Sequence, residues 1–137
     1  MGNKPPLFRD LAQRWLALAS NAQPGSNQRD EPNSLACLDF DWLVEDDPEQ
    51  AWETILQILH KTDSSGVLAQ LAAGPLEDLL SYHGEQFIDR VETLARIDSR
   101  FAFLLGGVWQ FNMTDAIWDR VTRVANRAGW DNVSPNE

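Results

Sequence analysis

Apolar residues recur along this chain at intervals of three and four positions, and turn-forming residues separate the runs. This spacing is typical of amphipathic helices that bury one face. The predicted elements are helices over 7–19, 35–46 and 47–61, several short helices between Leu68 and Trp109, and a last helix from about Asp115 to Ala128, which Gly129 ends. Residues 20–34 are turn formers and polar residues, which predict a flexible loop. We therefore predict one all-α domain over residues 1–137, a compact bundle or short solenoid of six to seven short antiparallel helices.

Glycines divide the segment from Leu68 to Trp109 into short predicted helices. Gly74 follows an apolar run as a left-handed helix cap does, and Pro75 then cannot continue the helix. Gly84 is predicted to end the next helix. The predicted core residues that follow are Phe87, Ile88, Val91, Leu94 and Ala95, then Phe101, Leu104, Leu105, Val108 and Trp109. The segment is therefore predicted to be a scaffold rather than a functional motif.

Polar residues stand where helices are predicted to begin. Asp47 can accept hydrogen bonds from the first amides of a helix, and Pro48 suits the first helical position. Either Ser64 or Ser65 can cap the next helix, and Asp98 can cap the helix after that. These caps predict helix boundaries independently of the apolar pattern.

The net charge of −10 is concentrated in residues 35–63, where eight acidic side chains stand against Lys61 alone. We call seven of these acids the acidic segment: Asp39, Asp41, Glu45, Asp46, Asp47, Glu49 and Glu53. Basic residues do not compensate their mutual repulsion in the sequence. A negative field of this kind repels nucleic acid and anionic membranes, and it attracts cationic partners.

Tryptophan is unusually frequent, with six in the chain. Its large ring fills protein cores, and it is also a favoured anchor of protein interfaces. We predict that most of the tryptophans are buried, including Trp42, which lies inside the acidic segment. Trp130 lies outside every apolar stripe. Trp42 is the candidate anchor because acidic residues surround it.

The sequence has no ligand spacing that indicates a metal or a cofactor. His60 and His83 are far apart, each beside a predicted helix end, and Cys37 is the only cysteine. A calcium loop counted from Asp39 requires glycine where Val44 stands. Phosphate-binding glycine loops and the sequence motifs of hydrolases are also absent. We predict no metal and no cofactor.

Acid–base chemistry has one candidate set in the sequence. Glu77, Asp78 and Glu85 stand near His83, but no nucleophile or oxyanion donor accompanies them. An enzyme of this kind needs a pocket in which His83 meets one of the three carboxylates. We predict a protein that is not an enzyme, and a carboxylate–histidine enzyme is the third hypothesis.

Three arginines, Arg120, Arg123 and Arg127, lie three and four positions apart in the last predicted helix. A basic ridge of this kind can contact phosphates, as in a helix-turn-helix. Asp115 and Asp119 share the helix, however, and the chain is strongly acidic. We therefore predict a solvated face with local ion pairs and no nucleic-acid partner.

Four stretches, LAAGPLEDLL, HG, FIDRVETLA and RFAFLLGGVW, form a recognisable series. Their buried pattern and glycine corners resemble a bacterial domain of unknown function that occurs in small, stand-alone, acidic proteins. The resemblance covers about residues 35–130. It implies a helical fold, and it provides no catalytic residues to transfer.

Small size, uneven charge and the lack of reaction motifs predict an acidic protein-binding module. The leading hypothesis is an immunity protein or antitoxin that neutralises a cationic toxin domain by covering its active site. The alternative is a helical adaptor or regulatory domain that binds its partner in a groove between helices. The predicted partner-binding residues are Asp39, Asp41, Trp42, Glu45, Asp46, Asp47, Glu49 and Glu53.

The partner is therefore expected to be another protein with a basic surface. We expect no membrane partner, because no apolar run is long enough to span a bilayer. The N-terminal sequence also lacks the pattern of a signal peptide, and the single cysteine excludes an intrachain disulfide. These features predict a cytoplasmic location.

Overall fold

A computed structural model describes residues 11–20 and 36–127 of the chain. These ranges form an all-α fold with no strand, as predicted. The elements are α1 Leu11–Ser20, α2 Ala36–Asp46, α3 Pro48–Lys61, α4 Ser65–Leu71, a π-helical turn Ala72–Leu76, α5 Glu77–Ile97, α6 Ser99–Gly106 and α7 Asp115–Val124. Residues 21–34 of the predicted loop, the predicted helix stop at Gly129, and Trp130 lie outside the described residues.

The predicted helix caps are present in the structure. Asp47 accepts a hydrogen bond from the Gln50 amide at 3.3 Å, and Pro48 is the first residue of α3. Ser64 caps α4, and Asp98 accepts hydrogen bonds from the first amides of α6. Each cap satisfies amides that have no partner inside the helix, so the local sequence fixes where these helices begin.

The predicted helix end at Gly74 is wrong. Residues Ala72–Leu76 form a single π-helical turn, and α5 continues from it without a break. Gly74 does not adopt a left-handed φ. Pro75 lacks an amide donor and would clash with a carbonyl in a regular α-helix, and the wider π turn accommodates it inside a helical path. The glycine and proline therefore reshape the helix instead of ending it.

The predicted helix end at Gly84 corresponds to a kink one residue earlier. The backbone of His83 is non-helical, with φ −133° and ψ 29°, and the helical path of α5 then continues to Ile97. His83 therefore lies where two helical segments of α5 meet. Gly84 is buried, and a Cβ atom built on it would lie 3.1 Å from Cγ2 of Ile117. The glycine allows α5 and α7 to approach closely.

Two further predictions near the C-terminus are corrected by the structure. α7 ends at Val124 and not at Ala128, because the backbone becomes extended at Ala125. The Asn126 amide then donates a hydrogen bond to a carbonyl of α6 at 2.9 Å. Trp109, predicted in the core, is 63% exposed because it follows the end of α6.

The core lies around the buried stripe of α5, which packs against α2, α3, α6, α7 and the π-helical turn. Trp52 of α3 belongs to this core, with its ring centroid 5.7 Å from that of Phe87 and 5.5 Å from that of Phe101. On the other side of α3, α1 contributes Trp15, whose ring meets Phe40 of α2 edge-on at 6.2 Å. These aromatic contacts join five helices into one core.

Arg100 of α6 holds the end of α3. Its Nη2 atom donates hydrogen bonds to the carbonyls of Leu59 and Thr62, each at 2.6 Å. These carbonyls lie at the end of the helix, where intrahelical partners run out. Nη1 of the same guanidinium pairs with Asp63 at 2.8 Å. One side chain therefore satisfies the end of α3 and fixes α6 against it.

Gly84→Ala is expected to destabilise the fold by about 1 kcal/mol, because the added methyl group meets the packed side chain of Ile117, which must shift by a few tenths of an ångström. Gly74→Ala is the matched control, because no atom lies within 4 Å of the added Cβ. That variant should gain about 0.5 to 1 kcal/mol, since alanine loses less chain entropy in a helix. Urea unfolding followed by circular dichroism measures both changes. A Gly84→Ala protein as stable as wild type would contradict the close helix contact.

Candidate functional site: an acidic and aromatic face

Three members of the acidic segment have structural partners. Asp39 pairs with Arg14 of α1 at 3.1 Å, with both side chains largely buried. Glu49 receives two hydrogen bonds from the guanidinium of Arg90, at 2.7 and 2.8 Å. Asp47 caps α3. The expectation that no basic residue compensates the acidic segment is therefore wrong for Asp39 and Glu49, because arginines distant in sequence fold back onto them.

The other four members, Asp41, Glu45, Asp46 and Glu53, are exposed. Within the described part of the chain, their carboxylates make no ion pair. Asp41 and Glu45 lie one turn apart on α2, so they share a helix face. Burial of part of its surface raises the pKa of the Asp41 carboxyl. Among the described residues, these four acids therefore differ from Asp39 and Glu49, which are paired with arginines.

Asp78 of α5 is half-buried and lies close enough to the exposed acids for their charges to act on it, which the sequence did not predict. Partial burial raises the pKa of the Asp78 carboxyl, and the charges of Asp41 and Glu45 raise it further. The charges of Asp41 and Glu45 act on Asp78 because α2 packs against α5, although the two helices are far apart in sequence. We call Asp41, Glu45 and Asp78 the acidic cluster.

Trp42 is 49% exposed beside the acidic cluster, so the predicted burial of this residue is wrong. The physical reason is the spacing of the other apolar residues in α2. Phe40, Leu43 and Val44 lie three and four positions apart and occupy the buried face. Position 42 therefore lies away from that face and turns its ring toward solvent.

α5 also carries an exposed aromatic side chain. Tyr82, which is 55% exposed, follows Asp78 by one helical turn and so lies on the same side of the helix. The Nε2–H group of His83 donates to the Val44 carbonyl of α2 at 2.7 Å. This bond holds α2 beside the first half of α5, and it brings Tyr82 to the edge of the acidic cluster.

The segment between α6 and α7 adds two more exposed aromatic rings. Trp109 is 63% exposed and Phe111 is 61% exposed. The Glu77 carboxylate accepts a hydrogen bond from the Trp109 amide at 3.1 Å, and the Ser81 hydroxyl accepts one from the Asn112 amide at 3.3 Å. Both acceptors are on α5, so the segment is fixed against the helix that carries Asp78 and Tyr82.

We group these residues from three parts of the chain as one candidate surface, which we call the acidic–aromatic face. It consists of Asp41, Trp42, Glu45, Asp78, Tyr82, Trp109 and Phe111. Only Asp41, Trp42 and Glu45 were among the partner-binding residues predicted from the sequence. The other four lie on α5 and on the segment whose amides hydrogen-bond to the first turns of α5.

The predicted basic ridge carries local ion pairs, as expected. Arg120 binds Asp89 at 2.7 Å and Glu92 at 2.6 Å, so it joins α7 to α5. These carboxylates raise the pKa of the Arg120 guanidinium. Arg123 pairs with Asp119 one turn earlier, at 2.7 Å. The positive charges of these two arginines are therefore neutralised within the protein.

Arg127, the third arginine of the predicted ridge, lies beyond the end of α7. Its guanidinium carbon is 4.4 Å from the ring centroid of Trp109 and 5.5 Å from that of Trp118. Nη1 also donates to the Val108 carbonyl at 3.1 Å. Cation–π attraction of this kind holds Trp109 at the surface and leaves part of its ring accessible.

The carboxylate–histidine hypothesis requires a pocket in which His83 meets a carboxylate. The described residues contain a cavity beside His83 but no histidine–carboxylate pair. A space of about 360 Å³ between α5 and the Asn112–Thr114 segment is lined by His83 and Glu85. Glu77 and Asp78 do not line it. The Nε2–H group of His83 is bonded to the Val44 carbonyl. The imidazole therefore has a structural partner that joins two helices.

Residues 11–20 and 36–127 contain no cluster of three or more His, Cys, Asp or Glu side chains that could hold a metal ion. Over the same ranges, no helix is both long enough and apolar enough to cross a lipid bilayer.

A protein-family model, described as a family of unknown function (DUF6869), matches residues 23–129. This match agrees with the resemblance that the sequence shows over residues 35–130. Neither a curated protein nor a solved structure matches the chain.

The ion pair between Glu92 and Arg120 is expected to make stability depend on pH. The hydrogen bond from Arg120 holds the pKa of the Glu92 carboxyl below its usual value of 4.5. A lowered pKa stabilises the fold at neutral pH, and this stabilisation is lost as the pH falls through the pKa of the folded state. Wild type should therefore unfold at higher urea than Glu92→Gln at pH 7, and the gap should close below pH 4.5.

Glu53→Gln is the control for this titration, because its carboxylate makes no ion pair within the described residues. Its urea midpoint should stay close to that of wild type across the same pH range. A gap between wild type and Glu92→Gln that does not change with pH would contradict the role of the ion pair.

Proposed function

The chain belongs to the DUF6869 family, a family of unknown function, and we propose that it is a protein-binding module that neutralises a cationic toxin domain, as an immunity protein or antitoxin does. The acidic–aromatic face is the single observation that carries the proposal. Its acids make no ion pair within the described residues, and it also carries exposed aromatic rings. We also propose that the protein is cytoplasmic, and its single cysteine supports this location.

The acidic cluster supports a cationic partner. Asp41, Glu45 and Asp78 repel one another in the free protein, and this repulsion contributes to the raised pKa of Asp78. Clustered like charge destabilises a folded chain, so it is retained more readily where a partner neutralises it. A basic surface brought against the cluster relieves the repulsion and is attracted from a distance. Fast association of this kind suits an inhibitor that must reach a toxin before the toxin acts.

The aromatic rings support a protein partner rather than a small ion. Trp42, Tyr82, Trp109 and Phe111 are each about half or more exposed. Large exposed apolar groups that lie together mark interaction surfaces, and tryptophan and tyrosine are frequent among the residues that dominate binding energy. In this proposal, the rings pack against the toxin while the acidic cluster pairs with its basic residues. The module thereby covers the basic cleft in which the toxin binds its substrate.

An apolar groove favours a second candidate function, that of a helical adaptor. The groove lies between α3 and α5, has a volume of about 400 Å³, and is lined by Trp52, Leu56, Leu94 and Ile97 among others. Ile97 is 77% exposed at its end. An amphipathic helix of a partner could place its apolar face there. Binding in this groove would survive high salt, whereas binding to the acidic–aromatic face would weaken steeply.

Charge reversal tests the proposed function. The adjacent reading frame of the source genome is expected to encode a toxin that the wild-type chain neutralises when both are co-expressed. Asp41→Lys with Glu45→Lys should abolish this protection and weaken toxin binding at least about a hundredfold, because favourable charge pairs become repulsive. Growth of the co-expressing cells and isothermal titration calorimetry measure the two effects.

The matched control reverses the same amount of charge elsewhere. Glu53 and Glu85 are exposed on α3 and α5, outside the acidic–aromatic face, and neither carboxylate makes an ion pair within the described residues. Glu53→Lys with Glu85→Lys should therefore retain protection. Protection that survives reversal of Asp41 and Glu45 would rule out the acidic–aromatic face. If Ile97→Glu then abolished binding, the groove would be the binding surface instead.

Asp78→Asn is expected to stabilise the free protein and to weaken toxin binding. The pKa of the Asp78 carboxyl is raised above 3.8, so the ionised group destabilises the fold above its folded-state pKa, and this penalty vanishes below 3.8. The gain in stability should be under about 1 kcal/mol at pH 7, because solvent screens the charge, and it should shrink as the pH falls.

Urea unfolding at several pH values and calorimetry with the toxin measure the two effects of this substitution. Asp119→Asn serves as the control, because it removes an attractive pair with Arg123 and should bring no gain in stability. An Asp78→Asn protein that is less stable than wild type at pH 7 would contradict the repulsion within the acidic cluster.

A further inference from the structure

A cavity of about 190 Å³ opens at the edge of the acidic–aromatic face, between α1, α2, α4 and the π-helical turn. Its lining includes Trp15, Leu18, Phe40, Asp41, Gly74 and Pro75. We propose that this cavity is a socket for one lysine or arginine side chain of the protein partner, with the alkyl stem inside and the charge at Asp41. The inference rests on the proposed function, and it names the anchor by which the partner is held.

Apart from Asp41, the described lining of the socket is apolar except for Gln70, whose side-chain amide donates to the Ala19 carbonyl at 3.3 Å. Trp15 and Phe40 are 5% and 1% exposed, and their rings meet edge-on at 6.2 Å. Pro75 of the π-helical turn is also buried and lines the cavity. An apolar cavity of about 150 Å³ is large enough to bind benzene, so this space accepts the three or four methylenes of a basic side chain. The stem of lysine or arginine is suited to such a wall because its methylenes are apolar while its end is charged.

The π-helical turn creates the open volume. Gly74 lines the cavity, and no atom lies within 4 Å of the position that its Cβ would occupy. A larger side chain at this position would therefore enter empty space. π turns inserted in helices occur frequently at functional sites, because they change the path of the helix locally.

The charge at the mouth determines the class of occupant. Asp41 is exposed there, and it is the one charged residue among the described residues that line the cavity. Its carboxylate makes no ion pair within the described ranges, and the nearby charges of Asp78 and Glu45 are also negative. Arg14 of α1 forms an ion pair with Asp39, which lies two residues before Asp41 on α2. An apolar socket with one carboxylate at its mouth fits a cation on an alkyl stem, and it repels an anion.

n-Hexylammonium chloride is the probe for this socket, and 1-hexanol is its uncharged counterpart. Titration of the full chain with hexylammonium should shift the indole N–H resonance of Trp15 in a saturable manner in NMR spectra. Asp41→Asn should weaken binding of hexylammonium about fivefold, which is the effect of removing one exposed charge pair. The same substitution should leave the affinity for hexanol unchanged, because hexanol has no charge to pair.

Gly74→Leu should abolish the shift of Trp15 with both probes, because the side chain fills the cavity. Gly74→Ala is the matched control and should retain the shift, since its single methyl group leaves most of the volume open. Circular dichroism of both variants verifies the fold. If Gly74→Leu does not fold, the comparison of hexylammonium with hexanol in Asp41→Asn still decides the proposal.

The socket is overturned if Trp15 shows no saturable shift, or if Asp41→Asn binds hexylammonium as tightly as wild type does. The toxin experiment separates this outcome from failure of the proposed function. If the chain protects cells but does not bind hexylammonium, the proposed function stands and only the socket is wrong. If it binds hexylammonium through Asp41 but neutralises no toxin, the cation site stands and the proposed function is wrong.

Discussion

The buried stripe of α5 organises the described fold, because α2, α3, α6, α7 and the π-helical turn all pack against it. A straight helix could not serve all these contacts equally. The kink at His83 changes the direction of α5, and Gly84 admits Ile117 of α7 at the same point. The bond from His83 to the Val44 carbonyl then fixes α2 beside the first half of α5. The acidic–aromatic face exists because this packing brings Asp78 next to the acids of α2.

Local chemistry explains which parts of the fold were predictable. Asp47, Ser64 and Asp98 bond to amides two or three residues away, so their sequence alone predicts where the helices begin. The two glycines, in contrast, are not explained by contacts with residues near them in sequence. Gly74 precedes a proline inside a π-helical turn, and Gly84 is present because another helix approaches it. Both depend on tertiary packing, so a sequence pattern interprets them as helix ends.

Only the part of the candidate site that depends on local sequence was predictable. Asp41 and Glu45 were predicted because they lie in one acidic segment, whereas Asp78 became part of the cluster only through contact between α2 and α5. Arg14 and Arg90 neutralise Asp39 and Glu49 from distant helices, which charge counting along the chain cannot detect. The exposure of Trp42 could have been inferred from the sequence, since three other apolar residues in α2 occupy its buried face.

The two groups of acids have opposite effects on the free protein, and this difference distinguishes scaffold from candidate site. Glu49 and Glu92 bind arginines that lower their pKa values, so their negative charge stabilises the contacts between helices. Asp41 and Asp78 have raised pKa values, so ionisation of these groups opposes folding at neutral pH. The arginines that neutralise acids elsewhere in the described structure do not reach Asp41, Glu45 or Asp78. A cationic partner would lower the raised pKa values and recover in binding the free energy that the free protein loses.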